Sequence, residues 1–418
     1  MYLRSVRLTM LAISFALAAC KSSTDSSDQA QPVITALPRA LSGDEQIAAT
    51  ATTEFGLALF RAVNARTSRD SNLAVSPISA SLALGMLMNG AEGETLDQVR
   101  RTLGFGTREV AQVNAAYKAL VPMLTSLDPS VKMTFANAAW FDLTAAPSAG
   151  FTQRLSDVFS ARVSSLSLTA PATVGIVNQW VSDATNARIP TIVERFERSD
   201  VAFLLNATYF KGQWRSQFDP AQTRPADFRV NASTAVQVPT MSANEGLVRA
   251  GSLPDGTRVG ELPFGGDAFV MSIVVPPLGT LEAAVDSLTP ARWRTLLGAL
   301  PVEAGKLPVQ LPKFRLETTR ELKSDLAALG MPRPFVDAQL SPMFQSPLQG
   351  LVVSSVRQKV FVDVNEEGAE AAAATGITIG RTSVPIGLTV DRPFFFAIRE
   401  RLSGSVLFLG KVVRPVVP

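Results

Sequence analysis

A side-chain nucleophile needs a base beside it, and this chain supplies almost none. It contains no histidine. That excludes Ser-His-Asp and Cys-His catalysis, histidine-ligated metals and any histidine-based pH switch. Cys20 is the only cysteine, so neither an internal disulfide nor a Cys-cluster metal site can form. No serine stands three residues before a lysine, which removes the Ser-x-x-Lys acyl-transfer pattern. An enzyme working with carboxylates alone is the one familiar hydrolytic class left open. The anomalous stretch of the chain is a connection with no core pattern, residues 365–391 (NEEGAEAAAATGITIGRTSVPIGLTVD).

So long a connection is rare in a compact domain unless it is functional or disordered. Its alanine run suits a short exposed helix. Gly368 interrupts that helix at its start, and Ile377-Thr378-Ile379 is β-prone. Read as a strand, Ala369, Ala371, Ala373 and Thr375 share one face, and Glu370, Ala372, Ala374 and Gly376 the other. One face is then small enough to slide over a packed core. Composition leaves both readings open.

The elements around this segment are legible from periodicity. Helices are predicted over 45–60, 78–89 (apolar nearly all round, hence buried, with Ser76-Pro77 as its start), 95–103, 174–187 and 319–329. Strands are predicted over 131–143, 202–210, 309–316 (broken by Pro312), 352–364, 393–398 and 405–412, with a hairpin of 259–264 and 268–275. Hydrophobic residues make up 46% of the 418 and charged residues only 18%, which points to a large core. No repeat or composition break divides 46–418, so one large mixed α and β domain is expected.

The first residues, MYLRSVRLTMLAISFALAAC, carry Arg4 and Arg7 ahead of an apolar run too short for a bilayer of about 30 Å. Residues 1–19 read as a signal peptide. The ending Leu17-Ala18-Ala19-Cys20 resembles a bacterial lipobox, which implies lipidation of Cys20. Residues 20–45 read as a flexible tether. The calculated pI of 9.1 is no sign of nucleic-acid binding. Without Arg4 and Arg7 the 39 basic residues become 37 against 36 acidic ones, with no long basic run.

Glu366-Glu367-Gly368-Ala369-Glu370-Ala371-Ala372-Ala373-Ala374-Thr375 resembles the hinge of an inhibitory serpin, a serine protease inhibitor that traps its target by loop insertion. Ordered motifs extend the resemblance over residues 50–415: Asn72 to Phe105, Asn206-Ala207-Thr208-Tyr209-Phe210-Lys211-Gly212-Gln213-Trp214, Val238-Pro239-Thr240-Met241, Leu311-Pro312-Lys313-Phe314, Asp391-Arg392-Pro393-Phe394 and Gly410-Lys411-Val412-Val413-Arg414-Pro415.

The resemblance implies an α+β serpin fold: a single domain with three β-sheets, about nine helices and an exposed reactive-centre loop at about 366–391. It implies a suicide inhibitor, not an enzyme, with no cofactor and no metal. The partner is a serine protease, or a cysteine protease of fitting specificity, held in a covalent 1:1 complex by a monomer. Loop length puts the attacked bond at Thr382–Ser383, with Arg381–Thr382 the alternative. Ser76, Ser79 and Asn206 match the shutter beneath the sheet, Trp214 the breach at its top. Gln358 stands where many members have a shutter histidine, and Ala187 where glycine is usual. The anchor implies the cell envelope, at the outer membrane. The alternative function is a non-inhibitory serpin-fold protein, cleaved as a substrate or acting as a binder.

Overall fold

The computed structural model describes residues 32–247, 249–301, 305–369 and 387–417. Cys20 and the leader lie outside these residues, as do Glu370 to Thr375, Arg381, Thr382 and Ser383. Nine α-helices occur among the described residues: α1 (Gly43–Ala65), α2 (Pro77–Met88), α3 (Gly93–Thr102), α4 (Val110–Ser126), α5 (Ala149–Phe159), α6 (Pro171–Ala184), α7 (Leu281–Asp286), α8 (Pro290–Gly298) and α9 (Lys323–Ala328). The strands are β1 (Leu73–Val75), β2 (Val131–Asp142), β3 (Arg162–Leu166), β4 (Ala202–Gln213), β5 (Arg224–Arg229), β6 (Ala235–Leu247), β7 (Arg249–Ser252), β8 (Arg258–Phe264), β9 (Phe269–Val275), β10 (Leu307–Pro312), β11 (Phe314–Glu321), β12 (Arg357–Asn365), β13 (Gly368–Ala369), β14 (Leu388–Thr389), β15 (Phe394–Glu400) and β16 (Val406–Val412).

They form three sheets. The main sheet has the order β11-β12-β13-β4-β2-β3, the second β1-β16-β15-β9-β8-β7, and the third β14-β10-β6-β5. The alternation of β12, with Gln358, Val360, Val362 and Val364 buried, sets one face of the main sheet against the central core. The other face carries α6, through a separate cluster that includes Trp140, Val177, Val181 and Leu205. α2 is apolar on every side because it is wrapped on every side: almost all of its residues are buried, and it packs on β4 and β16.

Four expectations are corrected. Residues 319–321 are not helical. They close β11, with Thr319 opposite Lys359 and Glu321 opposite Arg357, and the helix starts only at Lys323. The strand expected from Val352 starts at Arg357, because the backbone before it bonds elsewhere: Ala338 N donates to Leu351 O, Val353 N to Pro334 O and Leu322 N to Val356 O. The helix expected through Ala187 ends at Ala184. Asn186 and Ala187 take φ of 49° and 62°, the left-handed region that glycine occupies without penalty, and an alanine there costs about 1–2 kcal/mol. Finally, the tether expected through 45 is held to the body from Ile34 onward. Ile34 N donates to Gly266 O at 2.7 Å, Ile34, Leu37 and Leu41 pack on the core, and Ser42 caps α1.

Candidate functional site: the turn between β12 and β13

β12 ends at Asn365, turns through Glu366-Glu367 and returns as the two-residue strand β13. Gly368 lies opposite Asn365 on one side and Gln213 on the other; Ala369 lies opposite Val364 and Gly212. β13 is antiparallel to both neighbours, so β12 and β4 run parallel. Among the described residues no ladder joins β12 to β4. The main sheet therefore begins a strand that its described residues do not complete.

Gly368 is required at this point. Its φ is 155°, and a Cβ there would meet Gly212 O at 2.0 Å and Gln213 Cα at 2.7 Å. Ala369 is buried and faces inward over a void of about 10 Å³ bounded by Phe210, Val362, Ile398 and Phe408.

Trp214 clamps the turn. Its ring stacks on Phe264 with centroids 4.5 Å apart and planes at 12°. Its indole N–H donates to Asn365 O at 2.8 Å, and its backbone N–H to Glu367 O at 2.8 Å. Phe218 N donates to Glu366 O at 2.8 Å. The Glu366 carboxylate is held by Lys313 Nζ at 2.8 Å and by the Thr223 hydroxyl at 2.8 Å. Burial opposes its charge, yet the lysine and the hydroxyl outweigh it and keep its pKa below the usual carboxylate range. Glu367 goes the other way. Burial raises it, the Glu366 charge adds to that, and Lys211 only partly opposes.

The expected shutter residues fall into two groups. Gln358 fits against the backbone at the start of α2: Ser76 N donates to its Oε1 at 3.0 Å, and its Nε2 donates to Ser76 O at 2.8 Å. The Ser76 hydroxyl donates to Leu407 O at 2.8 Å and accepts from Ser79 N at 3.4 Å, so it caps α2 and ties it to the second sheet at once. Asn206 instead pairs with Asn137, its register partner on β2. Asn206 Nδ2 donates to Asn137 Oδ1 at 2.6 Å, and Asn137 Nδ2 donates to Phe159 O at 2.7 Å. Asn206 also stands on the wall of a cavity of about 560 Å³ at the end of β4 away from β13, with Leu84, Leu87, Phe203, Met343 and Val353 among its lining.

Lys313, Thr223, Phe264 and Asn137 were not expected as partners. Lys313 sits within a motif that carried the resemblance, but its ion pair spans the distance to Glu366 and has no local pattern. Asn137 shows itself only once β2 is paired with β4 residue by residue.

A large α+β domain of three sheets, whose main sheet carries a two-residue strand clamped at a turn between two parallel strands, is the class this geometry defines. The protein-family model described as Serpin (serine protease inhibitor) matches residues 50–415. The chain is 34% identical over 366 residues to human neuroserpin, covering 84% of this chain and 87% of that protein. It is 36% identical over 352 residues to serine protease inhibitor 42Dd of Drosophila melanogaster, covering 83% and 92%. The crystal structure of human glycosylated kallistatin superposes with a TM-score of 0.80 at 26% identity, covering 90% of this chain and 100% of that one. The chain belongs to the serpin family, most of whose matched members are protease inhibitors; the fold also matches human thyroxine-binding globulin complexed with thyroxine.

Proposed function

We propose that this protein inhibits serine proteases as a suicide substrate, with the loop at about 366–391 as the bait. The protease serine attacks the carbonyl carbon of Thr382. The peptide bond to Ser383 breaks, the Ser383 nitrogen leaves with a proton, and an ester joins Thr382 to the enzyme. The segment behind Ala369 then follows Gly368-Ala369 into the sheet between β12 and β4. The tethered protease is carried along before water can attack the ester. The same chemistry extends to cysteine proteases through a thioester. This chain contributes no catalytic group, in keeping with its lack of histidine.

The observation that supports this reading most is β13 itself. Two hinge residues are already paired on both sides between parallel neighbours. Each added residue gains backbone hydrogen bonds worth about 0.5–1.5 kcal/mol net apiece, so ten residues supply on the order of 10 kcal/mol. The uncut state is then metastable and held kinetically. Continued downward, the β13 register brings Thr375 level with Gln358 and Asn206, and small residues face the core all the way to that level. We further propose that Cys20 carries a lipid that anchors the inhibitor to the cell envelope, at the outer membrane.

The test is incubation with a panel of serine proteases. An SDS-resistant complex larger than either partner is expected, and clean cleavage without a complex would overturn the proposal. Mass spectrometry of the released C-terminal fragment locates the bond. A start at Ser383 fits Thr382 as the acylating residue. A start at Thr382 fits Arg381 and a trypsin-like enzyme.

A further inference from the structure

Two arginines from separate strands, Arg229 and Arg258, and the neighbouring Arg392 converge on one carboxylate at the end of the bait loop. Arg229 on β5 donates to Asp391 Oδ2 at 2.8 Å, Arg392 Nε donates to Asp391 Oδ1 at 2.8 Å, and Arg258 on β8 lies 3.6 Å from Oδ1. Arg229 N also donates to Asp391 O, and Arg258 Nη2 donates to Thr389 O at 2.8 Å. The cluster is therefore bolted to β14 and to the turn that follows it, the first described chain after residues 370–386. One carboxylate among three guanidiniums leaves two positive charges in excess. Asp227, on the same face of β5 two residues before Arg229, accepts from the neutral Gln237 amide and keeps its own charge; counting it, one positive charge still remains in excess. The cluster is not sealed: the side chains of Arg229, Arg258 and Arg392 are 47%, 31% and 22% exposed. Burial makes Arg258 a weaker base than usual, and repulsion from Arg392 and Arg229 works in the same direction against the pull of Asp391. The geometry thus holds like charges together where a further anion would relieve them.

We propose that this arginine cluster docks an acidic patch on the captured protease. The inference rests on the inhibitory reading above, since a protease engaging residues 380–384 must sit beside β14 and its flanking arginines. Convergence on a point suits one or two carboxylates, which guanidinium forks bind in a planar, bidentate way. An extended polyanion would call for a linear array of cations instead. Charges at the rim of an interface act chiefly on the association rate and its salt dependence. The cluster would accordingly select among proteases that the bait alone does not distinguish.

The experiment measures association rate constants for every protease of the panel that forms an SDS-resistant complex, at about 50 mM and about 1 M salt, where screening lengths differ severalfold. Wild type is compared with Arg229→Glu, with Arg229→Lys, and with Arg101→Glu on α3 as a control for net charge. For proteases of acidic surface, Arg229→Glu should slow association about tenfold at low salt and hardly at all at high salt. Arg101→Glu should stay within about twofold of wild type, Arg229→Lys should fall between wild type and Arg229→Glu because it keeps the charge but loses the fork, and proteases of basic surface should lose nothing. The melting temperature of each variant separates a folding defect, which would lower all rates at both salts. Equal losses for acidic and basic proteases, or losses unchanged by salt, would overturn the proposal. So would acceleration by a sulfated polysaccharide that disappears in Arg229→Glu whatever the charge of the protease; that outcome assigns the cluster to a polyanion. Failure of the wild type to form any complex would instead overturn the inhibitory reading and this proposal with it.

Discussion

A carboxylate placed at position 371 should turn the inhibitor into a substrate, and one at 372 should not. Continuing the register of Ala369 by two residues sets position 371 between Val362 and Phe210, on the inward face. The space under Ala369 is about 10 Å³, barely one water, and its walls are Phe210, Val362, Ile398 and Phe408. A glutamate entering there must give up its charge. Protonation at pH 7 from a pKa near 4.3 costs about 3.7 kcal/mol. The neutral acid still lacks hydrogen-bond partners, at about 1–3 kcal/mol more. If half of about 5 kcal/mol is felt at the transition state of insertion, insertion slows about 70-fold. Position 372 falls between Phe361 and Tyr209 on the opposite face, with Lys359 and Lys211 two residues away along the two strands. A carboxylate there keeps its charge. The assay is the number of inhibitor molecules consumed per protease inactivated, with the fractions of complex and cleaved product read from a denaturing gel. Ala371→Glu should consume many, and Ala372→Glu nearly as few as wild type. Equal losses at 371 and 372 would refute the register from which the argument starts.

Other outcomes follow from the same structure. Cleavage within 376–386 should raise the melting temperature strongly, because the severed strand can complete the sheet; an unchanged midpoint by calorimetry would count against insertion. The Arg39 guanidinium beside Glu45, aided by the Ser42 backbone and hydroxyl against burial, holds that carboxyl at about 2. Its folded pKa is depressed, so its stabilisation is complete above about pH 4.5 and is lost as pH falls through about 2; it amounts to no more than about 1 kcal/mol after screening of half-exposed Arg39. Melting curves of wild type and Glu45→Gln should therefore differ at pH 6 and converge near pH 2. Replacing Gln358 by His should add a pH dependence that wild type lacks. A buried imidazole that must accept from Ser76 N has its pKa lowered on folding, so the variant should lose stability relative to wild type as pH drops below about 6.5. Cys20→Ser should move the protein to the soluble fraction without loss of inhibition; unchanged membrane fractionation would remove the lipid anchor.

Elements that depend on their own periodicity were legible, and those that depend on a distant partner were not. α2 announced itself through Ser76-Pro77 and an unbroken apolar run, and the β8–β9 hairpin through Gly265-Gly266-Asp267. Residues 319–321 have a sequence compatible with helix, yet the ladder to β12 offers their backbone a complete set of bonds and wins. Residues 352–356 have the composition of a strand but lose their backbone groups to Pro334 and Leu322 before any ladder can form. The body starts earlier than composition suggested because a few apolar side chains, Ile34 foremost, find a groove at Gly266 that no local pattern could reveal.

The site divides along the same line. Small residues at alternate positions were visible at once, since a strand's period of two needs no partner to be read. The Glu366–Lys313 pair and the Trp214–Phe264 stack join segments some fifty residues apart and exist only in the folded chain. Gln358 is the instructive case. Its amide carries a fixed donor and a fixed acceptor, and the backbone of Ser76 presents one of each. A neutral imidazole also carries one donor and one acceptor, but a proton converts its acceptor into a second donor and strands Ser76 N. Glutamine at this position thus makes a polar tie between β12 and the start of α2 that does not titrate. With no histidine anywhere in the chain, that tie is not titrated through an imidazole.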